Sequence, residues 1–335
     1  MNGTMSAPLP SLLVTGAGGF VGLRLCARLA AAGHAVKAAV RRDSAALAAF
    51  APAVELVRVG DIGPDTDWQA ALAGVDMVVH LAARAHVMHD LASDPLAAYR
   101  RVNVAGSERL ARAAAGAGVK RLIYMSSIKV NGEATVDGPF RESDAPAPLD
   151  AYGQSKWEAE QALSRIAAET GLAVTVLRPP LIYGPGVKGN LARLLGWIER
   201  GLPLPFASVV NRRSLVYVDN LIDATLAVMR HPAPGRLYLL SDAHDLSTPQ
   251  LIRALARGLG KAPRLLPFPP SLLRLAGACT GQGDAIGRLV GSLRIDTSRI
   301  ADEIGWRPAH DPEQGLILTA KAHNERAGQT VEFHR

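Results

Sequence analysis

Three glycines constrain this chain more than any other feature. Gly16, Gly19 and Gly22 lie at three-residue spacing in Val14-Thr-Gly-Ala-Gly-Gly-Phe-Val-Gly22, between the apolar run Leu12–Val14 and a segment, Leu23–Ala32, with apolar residues at helical spacing. The run reads as a buried strand, and the segment as a helix stopped by Gly33. A strand, a glycine turn and a helix in that order let backbone approach a pyrophosphate at a helix N-terminus. That context separates a dinucleotide site from a flexible loop.

Further strand-like runs at Val36–Val40, Val54–Val59, Met77–Leu81, Leu122–Met125 and Val174–Leu177 alternate with helical patterns. The alternation predicts an α/β fold, a doubly wound parallel sheet covered on both faces. Arg236–Leu240 reads as one more strand returning to the sheet. After Pro179 the rhythm breaks and Pro and Gly become frequent, predicting a smaller substrate-binding region over the C-terminal sheet edge. The boundaries expected are 11–180 and 212–242 for the dinucleotide domain, 181–211 and 243–330 for the substrate domain, and flexible tails at 1–10 and 331–335.

Two motifs bring chemistry to this frame. Ser126 and Ser127 fall at the C-terminal end of the strand Leu122–Met125, where open sheets bind ligands. A hydroxyl there can fix a substrate oxygen; a loop cap suits Ser126 better than Ser127. Tyr152 and Lys156 lie four residues apart, one helical turn, and share a face. An ammonium beside a phenol lowers its pKa, which would poise Tyr152 to exchange a proton with an alcohol or a carbonyl.

Together these motifs resemble the extended short-chain dehydrogenase/reductase family, with its Rossmann-type fold, over most of the chain. The resemblance implies cofactor contacts from Gly16, Gly19, Phe20, Val21 and Gly22, from the Asp61-Ile62 pair, and from Leu81, Ala82 and Ala83 of the His80-Leu-Ala-Ala element. It adds Asn103, Tyr152, Lys156 and Pro179. The catalytic residues it implies are Ser127, Tyr152 and Lys156. Its nucleotide-sugar contacts fall at Arg84, Ser127, Lys188, Asn190 and Arg213, with Arg288 or Arg294 as a second diphosphate arginine.

No acid closes the second strand. Arg41 follows Val40 directly and suits a 2′-phosphate, so NADP(H) is the expected cofactor and NAD(H) the alternative. Ile128 and Lys129 replace the Asp-Glu pair of the family's dehydratases, which removes dehydration. Segments 126–132, 179–188 and 211–215 resemble a bacterial subgroup of the family engaged in surface-polysaccharide assembly, and that resemblance implies reduction of the C4 keto group of a UDP-linked N-acetyl-6-deoxyhexosamine. Alternatives are an NAD-dependent UDP-sugar 4-epimerase, a steroid or flavonoid reductase and a non-catalytic NADPH sensor; the intact Ser127–Tyr152–Lys156 set argues against the sensor.

Composition agrees. The 335 residues are 48% hydrophobic, enough for a substantial core. Two cysteines, Cys26 and Cys279, suggest no disulfide framework. Neither a secretory signal nor a membrane span is read, which predicts a cytoplasmic enzyme. The net charge of +7 is scattered, without a nucleic-acid module. His80, His86, His89 and Asp90 are read as no metal site. Helices around 95–115 and 152–168 carry apolar stripes, and by resemblance they would pair as a four-helix homodimer interface.

Overall fold

The structure, a computed structural model, describes residues 9–85, 94–231, 235–281 and 283–332, excepting the side chains of 284 and 326–332. His86, His89 and Asp90 lie outside the described residues, as does most of the two expected tails. The chain divides into two compact units. One comprises Met1–Val130, Asp150–Leu177 and His231–Leu237; the other comprises Asn131–Leu149, Arg178–Arg230 and Tyr238–Arg335. Segments 131–149 and 212–230 therefore belong with the second unit.

The first unit runs β1 (Leu12–Thr15), α1 (Phe20–Ala31), β2 (Val36–Val40), α2 (Ala45–Ala48), β3 (Val54–Arg58), α3 (Gln69–Leu72), β4 (Met77–His80), α4 (Pro95–Tyr99), α5 (Gly106–Gly116), β5 (Arg121–Met125) and α6 (Ala151–Thr170). Strand β6 (Ala173–Arg178) follows. The seven-stranded sheet has the order β3-β2-β1-β4-β5-β6-β9, where β9 is Leu237–Leu239. Parallel register pairs Thr15 with His80, and His80 with Tyr124. This is the expected doubly wound topology, whose strand order reverses beside β1. β1 and β4 are buried along their whole length, as continuous apolar runs in parallel sheets require.

Leu13, Val78, Leu122 and Tyr124 of the sheet pack with Leu110 and Ala114 of α5 and with Leu163 and Ile166 of α6. The approach of α5 is close: a Cβ on Gly106 would lie 2.6 Å from Ile62 Cγ2. Between α4 and α5, residues Arg100–Ala105 form a π-helical stretch, which the apolar pattern did not reveal. Helix α6 starts where the Asp150 carboxylate accepts the Gly153 N–H at 2.7 Å and stops at Gly171, φ 75°.

The four-helix interface has no exposed apolar support. None of the exposed large hydrophobic side chains lies on α4, α5 or α6. Arg100 pairs there with Glu158, and Arg112 with Glu108 and Glu169. Leu96, Val102 and Trp157 of this region are half-buried.

The second unit holds a small parallel pair, β7 (Leu181–Tyr183) and β8 (Leu215–Tyr217), then α7 (Asn190–Glu199), α8 (Val218–Arg230), α9 (Thr248–Gly258), α10 (Pro270–Cys279), α11 (Gly283–Val290), α12 (Ser298–Ile304) and α13 (Pro312–Glu332). Its centre is polar but satisfied. Buried Asp242 accepts from the Tyr183 hydroxyl (2.7 Å), the Tyr217 N–H (2.9 Å) and the Asn220 amide (2.7 Å). Among the described residues no helix is long and apolar enough to cross a membrane.

Candidate active site

The glycine turn has the shape of a cradle. A Cβ on Gly16, whose φ is +66°, would lie 2.8 Å from the Ala82 nitrogen. One on Gly22 would lie 2.2 Å from the Gly16 carbonyl oxygen, so α1 sits against the turn only because Gly22 has no side chain. No side chain caps the N-terminus of α1, whose first N–H groups suit an anion. These features fit a dinucleotide pyrophosphate, with Phe20 and Val21 opening the helix.

Leu81, Ala82, Ala83 and Arg84 continue from β4 beside that turn, half-buried. The Ala82 N–H donates to Thr15 Oγ1 (3.2 Å), and the Arg84 guanidinium lies 5.5 Å from the centre of the Tyr99 ring. Asn103, in the π-helical stretch, clamps this segment. Its oxygen accepts the Arg84 N–H (2.8 Å), and its amide nitrogen donates to the Arg84 carbonyl (3.1 Å) and to Ser155 Oγ (2.9 Å). With 1% of its surface exposed, Asn103 shapes the segment from behind.

Ser127 and Tyr152 come together. Ser127 sits at the end of β5, and its hydroxyl lies near enough to the Tyr152 phenol to lower that group's pKa. It also accepts the Lys129 N–H at 3.2 Å, so Ser127, not Ser126, caps the following turn. The Ser126 hydroxyl instead donates to the buried Glu160 carboxylate. The Tyr152 ring stands edge-on to Tyr99, centroids 6.1 Å apart. Lys129 pairs with Asp150.

Lys156 takes a different direction from the one its spacing suggests. Its ammonium donates to the Met125 carbonyl (2.7 Å) and to the Tyr124 hydroxyl (3.1 Å). The expected lowering of the Tyr152 pKa by Lys156 is absent. Burial pushes the phenol above its ordinary value and Asp150 adds to that, while the nearby Ser127 hydroxyl draws it back. Burial also lowers Lys156 to about 7, against the pull of the Glu160 charge. The helix brings Tyr152 and Lys156 to one face, but the buried ammonium satisfies its donors on β5.

Behind Lys156 runs a network that sequence reasoning missed. The Tyr124 ring lies 5.6 Å from that of His80, and the Ser107 hydroxyl donates to the Asn103 carbonyl at 2.6 Å. With its proton spent, Ser107 Oγ accepts from His80 Nε2 (2.9 Å). His80 Nδ1 must then accept from Thr15 Oγ1 (2.6 Å). Burial and the nearby Lys156 charge hold His80 neutral, its pKa down to about 3. The only sequence signals were Thr15 directly before Gly16 and Glu160 one turn beyond Lys156.

The remaining expected residues divide. Ile62 packs on Gly106. Arg41 lies exposed, 3.5 Å from the equally exposed Asp61 carboxylate. In the second unit, Pro179 is buried, while Lys188 and Asn190 are exposed before and at the start of α7. Arg213 donates to the Gly291 carbonyl (3.3 Å); burial and the charge of Arg288 lower it to about 10, and Glu133 opposes them. Arg288 lies 3.6 Å from Glu133. Arg294 is committed to Asp245 at 3.2 Å. Of the two candidates, Arg288 is the one whose charge lowers Arg213. No cluster of His, Cys, Asp or Glu suited to a metal occurs among the described residues.

The model of the NAD dependent epimerase/dehydratase family matches residues 12–240. A UDP-glucose 4-epimerase of Vibrio cholerae is 43% identical over 320 residues, covering 93% of this chain and 95% of that protein. The N-acetyl-alpha-D-glucosaminyl-diphospho-ditrans,octacis-undecaprenol 4-epimerase of Escherichia coli O157:H7 is 32% identical over 272 residues, 80% of this chain and 78% of its own. The crystal structure of the Thermotoga maritima UDP-glucose 4-epimerase with UDP-glucose superposes with a TM-score of 0.75 at 26% identity, covering 95% of this chain and 99% of that one. The chain is an enzyme of the NAD-dependent epimerase/dehydratase family, within the extended short-chain dehydrogenases/reductases.

Proposed function

We propose that the protein interconverts the C4 epimers of a UDP-linked hexose or N-acetylhexosamine, using NAD that it retains. The observation that carries this reading is the proximity of the Ser127 hydroxyl to the Tyr152 phenol at the C-terminal edge of the sheet. A bound nicotinamide supplies the hydride acceptor and donor. Tyr152 takes the proton from the C4 hydroxyl and returns it after the 4-keto sugar has presented its other face. Ser127 holds the C4 oxygen. Lys156, anchored by Tyr124 and Met125, supplies positive charge behind the phenol when a dinucleotide is bound. Arg213 and Arg288, like charges within one unit, suit a diphosphate. The resemblance to 4-epimerases at 43% and 32% identity supports the reaction type.

The reductase reading rests on Arg41 as a 2′-phosphate site. Its guanidinium is shared with Asp61, whose charge such a phosphate would have to approach. NAD is therefore the better fit to this strand end, and epimerisation the better fit to retained NAD.

One incubation separates the two. The protein is given UDP-glucose or UDP-N-acetylglucosamine without added cofactor, and in parallel UDP-4-keto-6-deoxy-N-acetylglucosamine with NADH or NADPH. The C4 epimer in the first arm, without net cofactor oxidation in the second, is the expected result. Stoichiometric oxidation with no epimer formed replaces this reading by the reductase.

A further inference from the structure

Helix α10 inverts the pattern of a water-facing helix. Its buried positions are Leu273 and Gly277, whereas Leu272 and Leu275 point outward, 47% and 61% exposed, with Ala276 and Ala278 exposed beside them. An ordinary surface helix puts polar residues there. The segment before it repeats the inversion. Leu266 and Phe268 alternate with Pro267 and Pro269 and are 50% and 38% exposed. Backbone bonds fix this stretch: the Leu266 N–H donates to the Leu204 carbonyl (2.9 Å), and the Ala207 N–H to the Leu266 carbonyl (3.1 Å). Leu202, on that neighbouring strand-like segment, is exposed too.

The sequence that carries this apolar surface is charged with one sign. From Leu246 to Gly283 the sequence carries Arg253, Arg257, Lys261, Arg264 and Arg274, and no Asp or Glu. All five are exposed. Arg253 and Arg257 line one hollow with Gln250, Pro263 and Glu313, which brings the basic end of α9 to the start of the apolar segment. Arg257 pairs with Glu313; the other four have no ion-pair partner among the described residues.

We infer that residues 264–279 dock the protein on the surface of a bilayer containing anionic lipid, with Leu266, Phe268, Leu272 and Leu275 in the headgroup–acyl boundary and Arg264 and Arg274 against phosphates. The pairing of an apolar face with interleaved cations is what such a surface selects. α10 lies on the membrane and does not span it. A second copy of the chain is a poor occupant, because a two-fold interface sets a patch against itself and would oppose Arg264 and Arg274 to their own equivalents. The inference is independent of the sugar reaction.

The test is co-sedimentation of the full-length protein with vesicles of phosphatidylcholine alone or mixed with phosphatidylglycerol. Binding to the mixed vesicles, weakened by salt, is expected. A Phe268→Ser/Leu272→Ser/Leu275→Ser variant should lose it by about tenfold and keep dinucleotide binding. An Arg264→Glu/Arg274→Glu variant, changed only at exposed positions, should lose it as well and serves where the serine variant does not fold. The inference is overturned if wild type stays in the supernatant with mixed vesicles, or if neither variant weakens binding. It is equally overturned by self-association without vesicles that the serine variant abolishes, which would make the patch a protein interface.

Discussion

The Lys156 ammonium donates to the Tyr124 hydroxyl at 3.1 Å, and the Tyr124 ring lies 5.6 Å from that of His80, which Ser107 and Thr15 hold from either side. The donor directions around His80 are mutually consistent, so both of its ring nitrogens are satisfied while buried. These contacts connect the lysine of α6 with the residue immediately before the glycine turn, across β5 and β4. Tyr124→Phe removes one of the two acceptors of Lys156 with little change in volume. The expected outcome is a roughly ten- to hundredfold fall in kcat, a smaller change in KM, and unchanged sugar-nucleotide binding. A KM effect without a kcat effect would show that Tyr124 does not position Lys156.

The glycine cradle predicts a contrast between neighbours. Gly22→Ala forces a Cβ against the Gly16 carbonyl, whereas a Cβ at Gly18 meets nothing within 4 Å. Gly22→Ala should therefore cost about 1–3 kcal/mol of stability and abolish tight dinucleotide retention. Gly18→Ala should alter neither. Thermal unfolding and the dinucleotide content of the purified protein measure both.

Lys156 also sets a pH dependence of stability. Its folded pKa, about 7, lies below its ordinary value of 10.5. Between those values the unfolded chain binds the extra proton, so this group's contribution to stability rises with pH across the window. The cost of burying the charge is fully present below about pH 7 and gone above pH 10.5. In apoprotein, Lys156→Met should raise Tm most at low pH, and its advantage should shrink steadily from pH 7 upward. A constant difference would show that Lys156 titrates normally.

Arg213 offers a direct handle on the second unit. Its charge is already strained by burial and by Arg288. An anionic ligand that meets both relieves that strain, so Arg213→Ala should weaken UDP binding by roughly ten- to hundredfold. Calorimetric titration with UDP checks this, and unchanged affinity would remove the diphosphate role.

Legibility from sequence follows how local each feature is. All seven strands of the main sheet could be read, because parallel strands buried on both faces are continuous apolar runs. The three-residue strands β7 and β8 are too short to stand out from a Pro- and Gly-rich region. The π-helical stretch at Arg100–Ala105 was invisible because its composition continues that of a helix. Ser127, Tyr152 and Lys156 were legible from spacing and from their place after β5. Tyr124, Ser107 and Thr15 were not, since their network depends on the register of β1, β4 and β5 and on the docking of α5. The carboxylate of Asp61 beside Arg41 was not legible for the same reason. A neighbouring carboxylate is a tertiary fact.

The central claim is that Tyr152, beside Ser127, moves the proton at C4. Tyr152→Phe keeps the ring against Tyr99 and removes only the hydroxyl. Measured with the UDP-sugar turned over by wild type, the variant should lose at least roughly a thousandfold in kcat while retaining dinucleotide and binding UDP as wild type does. Turnover within about tenfold of wild type would contradict the account.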